Sequence, residues 1–404
     1  MHIRDYTDND HDALVRVWTE CGWLEDASDN AQLTHFMQDA RAKVAIVDGG
    51  PEACAVVHDG TMLHTNTDLP LAAVTAVTTS RVGRKQGLAR AALRPLLVEA
   101  AERGMAVSVL GMFEQGFYDT VGFGTGSEWL SHRIDPADLD PSLPYRRPER
   151  LDAEDDAAAM AACLMTRQRA HGAVSLPSPG IRRAEAAWAD GGFGLGYRDA
   201  DDRLTHFIWF GSKGEYGPYR VAMWGWQDTS QLRELLGMIR SLGDQVRTVS
   251  IPEPAQVQLQ VLTRNPGRSE ISRTEGEHSF QFRASAWWQA RMLDVPACVA
   301  AMSTIAPVPC NIELTDPLAD GPDGWHGVAG SWVLDLDTTS SAIRGRDDAL
   351  PTLRCSVNTF TRLWLGVRSP RVLAASDEMQ LPATLLDALE HAIRLPRPDV
   401  ALDF

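Results

Sequence analysis

The chain has 404 residues, 44% apolar and 23% charged, a length that suits two or three domains better than one core. Its net charge of −16, with only three lysines (Lys43, Lys85, Lys213), argues against nucleic acid and favours cationic partners such as amines. No stretch approaches 18 apolar residues, MHIRDYTDND has no apolar signal core, and the 6 cysteines and 11 histidines show no metal-ligand spacing, so a cytoplasmic, non-membrane protein without metal or disulfide framework is expected.

In chain order, residues 3–8 read as a strand, and Asn9-Asp10 as the cap of a helix over HDALVRVWTEC with Leu14, Val15, Trp18 and Cys21 on one face. KVAIVDGGPEACAVVHDG places strand-like runs on either side of Gly49-Gly50-Pro51, a hairpin signal. LAAVTAVTT (71–79) is a strand. LARAALRPLLVEAAERG (88–104) is a helix stopped by Gly104, with Pro95 expected to kink it. MAVSVLGM is the next strand, and this α+β or α/β unit is expected to close near residue 134. A Pro- and Asp-rich stretch (135–151) opens a second unit, 135–287, with a helix near 153–172, strands around RLTHFIWFG and YRVAMWGW, the helix SQLRELLGMIRSLG and the strand VRTVSI. The third, 288–404, is an α+β layer ending in the helices VNTFTRLWLGV and ATLLDALEHAIRL.

The strand–helix junction at Arg84-Lys85-Gln86-Gly87-Leu88-Ala89 carries the chemistry. A helix start offers unpaired N–H groups and partial positive charge, and so attracts phosphate. Gly87 lets the backbone approach a diphosphate, and Arg84 and Lys85 add full charge. Neither GxxxxGK[ST] nor GxGxxG is present, so this is neither a P-loop nor a dinucleotide fingerprint. The second unit repeats the strand–helix–strand order without that turn, WGWQDTSQ standing at its junction.

AVTAVTT, the Arg84-x-x-Gly87-x-Ala89 turn and the helix after it resemble motif A of the GNAT N-acetyltransferases. With GFYDTVGFGTGSE, MLDVPA (292–297) and FTRLWLGV (360–367), the chain is similar nearly throughout to the Eis (enhanced intracellular survival) aminoglycoside acetyltransferases. The resemblance implies two tandem GNAT folds, the second without a cofactor site, plus a sterol carrier protein-like C-terminal domain, bounded 1–134, 135–287 and 288–404. It implies acetyl-CoA as co-substrate: Val77, Thr78 and Thr79 along the pantetheine arm, Arg84, Lys85, Gln86, Gly87, Leu88, Ala89 and Arg90 on the diphosphate, and Phe113 and Glu114 as a further contact. The family runs several arginines into the glycine and places a glycine pair before the tyrosine; this chain has Arg84-Lys85-Gln86 and Phe113-Glu114-Gln115-Gly116-Phe117.

In the family Tyr118 is the acid that protonates the departing thiolate. A phenol at about 10 and a thiol at about 8.5 differ by only about 2 kcal/mol, small enough for a concerted step. The family's base is the C-terminal α-carboxylate, here on Phe404. At about 3.3–3.7 it is too weak to strip an ammonium alone, so it must orient the amine or a water. Trp23, Asp26 and Phe36 lie in the early helical region that lines GNAT acceptor clefts. The implied reaction is direct transfer of acetyl to an amine of a cationic small molecule, with aminoglycosides the family's class and a hexamer its assembly. A polyamine or protein-lysine acceptor remains open, as does an apolar-ligand binding protein with a vestigial acetyl-CoA turn.

Overall fold

A computed structural model describes residues 1–24, 27–255, 257–264, 280–319 and 325–401, with backbone alone for 27–29. The first unit runs β1 (His2–Asp5), α1 (His11–Cys21), α2 (Ala27–Met37), β2 (Arg41–Val47), β3 (Gly50–His64), β4 (Thr67–Thr79), α3 (Leu88–Glu102), β5 (Val107–Gly111), α4 (Gln115–Asp119) and β6 (Gly124–Thr125). Asp10 stands at the N-cap of α1, and Asp48 and Gly49, at φ of 50° and 89°, close the expected hairpin between β2 and β3. Two residues at positive φ match the right-handed twist of the flanking strands. Pro95 lies within α3, which runs from Leu88 to Glu102 as a single helix.

The second unit comprises β7 (Trp129–Ile134), β8 (Glu149–Leu151), α5 (Ala157–Thr166), β9 (Val174–Ser175), α6 (Pro179–Ala187), β10 (Phe193–Arg198), β11 (Leu204–Ser212), β12 (Tyr219–Gly225), α7 (Thr229–Ser241), β13 (Val249–Pro252) and β14 (Gln281–Ser285). The third comprises β15 (Trp288–Met292), α8 (Val295–Ala300), β16 (Val308–Thr315), β17 (Gly330–Leu336), β18 (Ser341–Arg344), β19 (Thr352–Ser356), α9 (Val357–Trp364), α10 (Pro370–Ser376), β20 (Met379–Gln380) and α11 (Ala383–Ala392).

Three sheets result, ordered β1-β2-β3-β4-β5-β15-β6 (with β9 on β3), β14-β7-β13-β12-β11-β10-β8 and β18-β17-β16-β19-β20. The first two share one plan: an antiparallel run followed by a parallel pair with a helix crossing between, β4-α3-β5 in one and β12-α7-β13 in the other. The tandem GNAT-like architecture with an α+β C-terminal layer is thus realised. The sheets nevertheless cut across the expected boundaries at 134 and 287. β7 pairs with β13 and β14 in the second sheet, and β15, buried at all five positions, inserts between β5 and β6 in the first. Strand pairing is non-local, so a composition change along the chain does not mark where a sheet ends.

The largest core cluster joins Leu71 and Val109 of the first sheet and Met292 of β15 to Ile312, Trp364 and Leu389 of the third unit. His64, at the β3–β4 turn, places Nδ1 3.0 Å from Ala301 O and Nε2 3.0 Å from Trp364 O. Among the described residues, no helix is long and apolar enough to cross a membrane, and no cluster of three or more metal-ligating side chains occurs.

Candidate active site

The site begins as a defect in strand pairing. β4 pairs in parallel with β5 only from Leu71↔Val107 to Val74↔Leu110. Beyond Val74, β4 also bulges against β3, where the register jumps from Val56↔Thr75 to Cys54↔Thr78 and Ala76 takes a φ of 48°. A bulge bends its strand and re-aims it. The residues that follow, Val77, Thr78 and Thr79, therefore leave β5 and present backbone to an opening between the two strands.

That opening holds two adjoining cavities. The larger, about 570 Å³, is lined by Val77, Thr78 and Thr79, by the turn residues Gly83, Arg84, Lys85, Gly87, Leu88 and Ala89, and by Phe117. The smaller, about 270 Å³, is lined by Val74 to Val77, Gly111, Met112, Tyr118 and Trp287. Trp23, Val77 and Phe113 belong to both, so the two share a wall.

The turn is built to receive an anion. Gly87 stands at the N-cap of α3 at φ 75°, and Lys85 also takes a left-handed φ of 61°. No side chain caps the helix, and its first turn holds no acidic residue. The first N–H groups of a helix have no intrahelical acceptor, so here they are left for a ligand's oxygens. A Cβ at Gly87 would meet nothing within 4 Å, so the glycine serves backbone conformation and open approach. The matching helix of the second unit shows the opposite arrangement. There Asp228 occupies the N-cap and accepts from Gln231 N at 3.0 Å, so an anion would meet a carboxylate already in place.

Tyr118 sits on α4, 3% exposed, with ring centres of Phe117 and Phe113 at 4.8 and 5.7 Å. Burial pushes its phenol well above the ordinary value, since desolvation disfavours the phenolate. The same dry surroundings disfavour a thiolate, so the small gap between the two acids is preserved in kind.

Not every expected residue reaches a cavity wall. The Glu114 carboxylate accepts from Gly116 N and Phe117 N at 2.9 and 2.7 Å and caps α4; it holds the tyrosine's helix in place and lines neither cavity. Gln86 donates its amide to Val82 O at 2.8 Å, closing the turn on itself, and Arg90 is exposed along α3 away from the wall. Phe36 is 4% exposed and packs edge-on against Trp18 at 5.7 Å and His58 at 4.9 Å, which makes it core where an acceptor contact was expected. Trp23, 49% exposed, is on both cavity walls. Asp26 and Phe404 lie outside the described residues.

Local reading missed Trp287, Gly111 and Met112, because β15 supplies this wall from far along the chain: Met112 N donates to Trp287 O at 2.6 Å. It also missed two further cavities. One of about 350 Å³ shares Trp287 with the Tyr118 cavity, and a smaller one shares Trp129 and Met223 with it in turn. Ala401 and Asp399 are on the wall of that last cavity. The chain end is stitched there by Asp399 N to His171 O at 2.8 Å and Val174 N to Val400 O at 3.0 Å.

Comparison with known proteins agrees with this geometry. Residues 2–126 match the acetyltransferase (GNAT) domain model, and residues 295–400 match a sterol carrier protein domain. No curated protein matches the sequence. Similar solved structures include a conserved protein of unknown function from Enterococcus faecalis V583, a probable N-acyltransferase (TM-score 0.78, 16% identity, 98% of each chain). Others are a GCN5-related N-acetyltransferase from Kribbella flavida (TM-score 0.76, 20% identity, 100% of this chain and 98% of that one) and Eis1 from Mycobacterium abscessus (0.75, 18%, 100% of both). An acyl-CoA is the donor that such a domain employs, and the uncapped α3 start beside a splayed β4 fits it. The chain thus carries a GNAT acetyltransferase domain over residues 2–126, with a buried tyrosine on the wall of one of its cavities.

Proposed function

We propose that the protein transfers acetyl from acetyl-CoA directly to an amine of a cationic small molecule, with aminoglycosides the class that the likeness to Eis1 brings forward. The observation that carries the reading is the adjacency of the two cavities, one on the glycine turn at the start of α3 and the other on Tyr118.

The α3 amides from Leu88 onward, with Arg84 and Lys85, hold the diphosphate. Val77, Thr78 and Thr79 bond the pantetheine amides along the free strand edge. Tyr118 then faces the sulfur. As the amine nitrogen bonds to the acetyl carbon, the C–S bond breaks, the phenol passes its proton to the thiolate, and the proton shed by the acylated nitrogen restores the phenol. The ammonium proton must leave before attack. The Phe404 carboxylate orients the amine or a relaying water and collects that proton; three residues span at most about 10 Å from Ala401. The described cysteines are buried except Cys21, which lines the diphosphate-side cavity, so none is placed to carry an acyl-enzyme at Tyr118. From the family resemblance of the sequence we propose a homo-oligomer, a hexamer, which light scattering would measure; a cytoplasmic location is proposed from the sequence composition alone.

The test is CoA release from acetyl-CoA with an aminoglycoside, comparing wild type, Tyr118→Phe and a chain extended by one residue after Phe404. Both variants are expected to lose at least about tenfold, since acid–base groups typically contribute 10²–10⁴. Wild-type rates in both would remove this mechanism.

A further inference from the structure

The 350 Å³ chamber next to the Tyr118 cavity is walled by Trp287, Trp129, Trp188, Met223 and two alanines. The walls are fixed. Trp129 and Trp287 meet edge-on at 5.4 Å, and Trp188 is backed by Phe36 at 5.5 Å and Trp18 at 6.2 Å. Its two charged lining residues, Glu185 and Arg220, are of opposite sign, and Glu185 already holds Arg182 at 2.7 Å. Among the described residues, then, the chamber offers no net negative charge to a polycation. It offers flat π-faces, which attract aromatic rings and a single cation beside them. Trp287 also lines the Tyr118 cavity, so a ring lodged in the chamber would lie next to that cavity, with a short alkyl arm as the link to be bridged.

We propose that this chamber is an acceptor subsite for an aromatic group, giving the enzyme a further activity: acetylation of arylalkylamines, primary amines on a short alkyl arm from an aromatic ring. The inference rests on the acetyltransferase reading for its chemistry. The amine forms the C–N bond, the C–S bond breaks, one proton is lost from the ammonium, and the products are the N-arylalkyl acetamide and free CoA. The net charge of −16 gathers cations in general, and the chamber selects among them by shape.

Calorimetry with the CoA-loaded, full-length protein tests the subsite apart from turnover. Tryptamine is expected to bind at least tenfold more tightly than n-butylamine, of equal charge, and more tightly than spermidine. Trp129→Leu is expected to erase that tryptamine preference and Trp129→Phe to keep most of it. Equal binding of tryptamine and n-butylamine, tighter binding of spermidine, or an unchanged preference in a folded Trp129→Leu variant would each overturn the subsite. CoA release is read separately: tight tryptamine binding without turnover, while an aminoglycoside is still acetylated, overturns the arylalkylamine activity, and no CoA release with either amine removes the acetyltransferase reading of the Tyr118 cavity.

Discussion

Tyr118 shows how burial sets a residue's behaviour. Its phenol is held well above the ordinary value by desolvation, so it stays protonated through the alkaline range in which amines lose their proton. The rate for wild type is therefore expected to rise with pH as the acceptor deprotonates and to show no fall from phenol ionisation below about pH 10. A descending limb near pH 8 that vanishes in Tyr118→Phe would contradict this. His58 and His64 show the effect on stability. Burial lowers each from 6.5 to about 4, Arg182 adding to it at His58 against the opposing pull of Asp39 and Asp59, and His171 adding to it at His64. Between those values the unfolded chain binds more protons than the folded one, so stability rises with pH through this window and falls as the medium is acidified from 6.5 toward 4. At pH 5 each histidine costs up to about 2 kcal/mol. The drop in Tm between pH 7 and pH 5 is expected to shrink in His58→Leu; an equal drop would show that another group dominates.

At the scale of elements, the two crossover helices make a natural experiment. α3 starts at an uncapped glycine and α7 at a capping aspartate. Gly87→Val places a β-branched residue at φ 75°, a strain of roughly 1–2 kcal/mol, although its Cβ meets no neighbour. Acetyl-CoA affinity is expected to fall several-fold with a modest loss of Tm. Asp228→Ala should cost about 1 kcal/mol of stability and leave acetyl-CoA affinity unchanged. Titration calorimetry on both variants separates a binding turn from a structural one, and equal effects on affinity would remove the distinction.

Across the whole molecule, the interlocking of units has an identifiable anchor. Arg291 of β15 is fully buried, donating from Nη1 to Val121 O at 2.6 Å and pairing through Nη2 with Asp316 at 2.5 Å. Asp316 also accepts from Leu318 N and Val328 N, so the pair fastens the first sheet to the third unit. Arg291→Met leaves a buried carboxylate without its cation and is expected to cost about 3–5 kcal/mol. Changing Asp316→Leu as well should restore much of the loss, since removing both charges avoids the stranded one. A double variant no more stable than Arg291→Met would mean that the arginine acts chiefly by packing.

How much of this was legible beforehand differs by kind of signal. The cap at Asp10, the existence of a hairpin between β2 and β3 (its turn at Asp48-Gly49, one residue before the expected Gly49-Gly50-Pro51), the β4-α3-β5 order and the glycine at the start of α3 are local, set by backbone sterics and by periodicities of two and 3.6 residues, and the sequence by itself determined them. The place of Tyr118 near that turn was legible only through resemblance; its ring forms part of the wall of a cavity that adjoins the one on the turn. Only the tertiary structure decided that Phe36 packs into the core behind Trp188. It alone decided, too, that Trp129 of β7 meets Trp287, which directly precedes β15, on the wall of one cavity. Those outcomes depend on which strands pair across more than a hundred residues, and such pairing is fixed by burial of whole faces against one another, which no window of neighbouring residues contains.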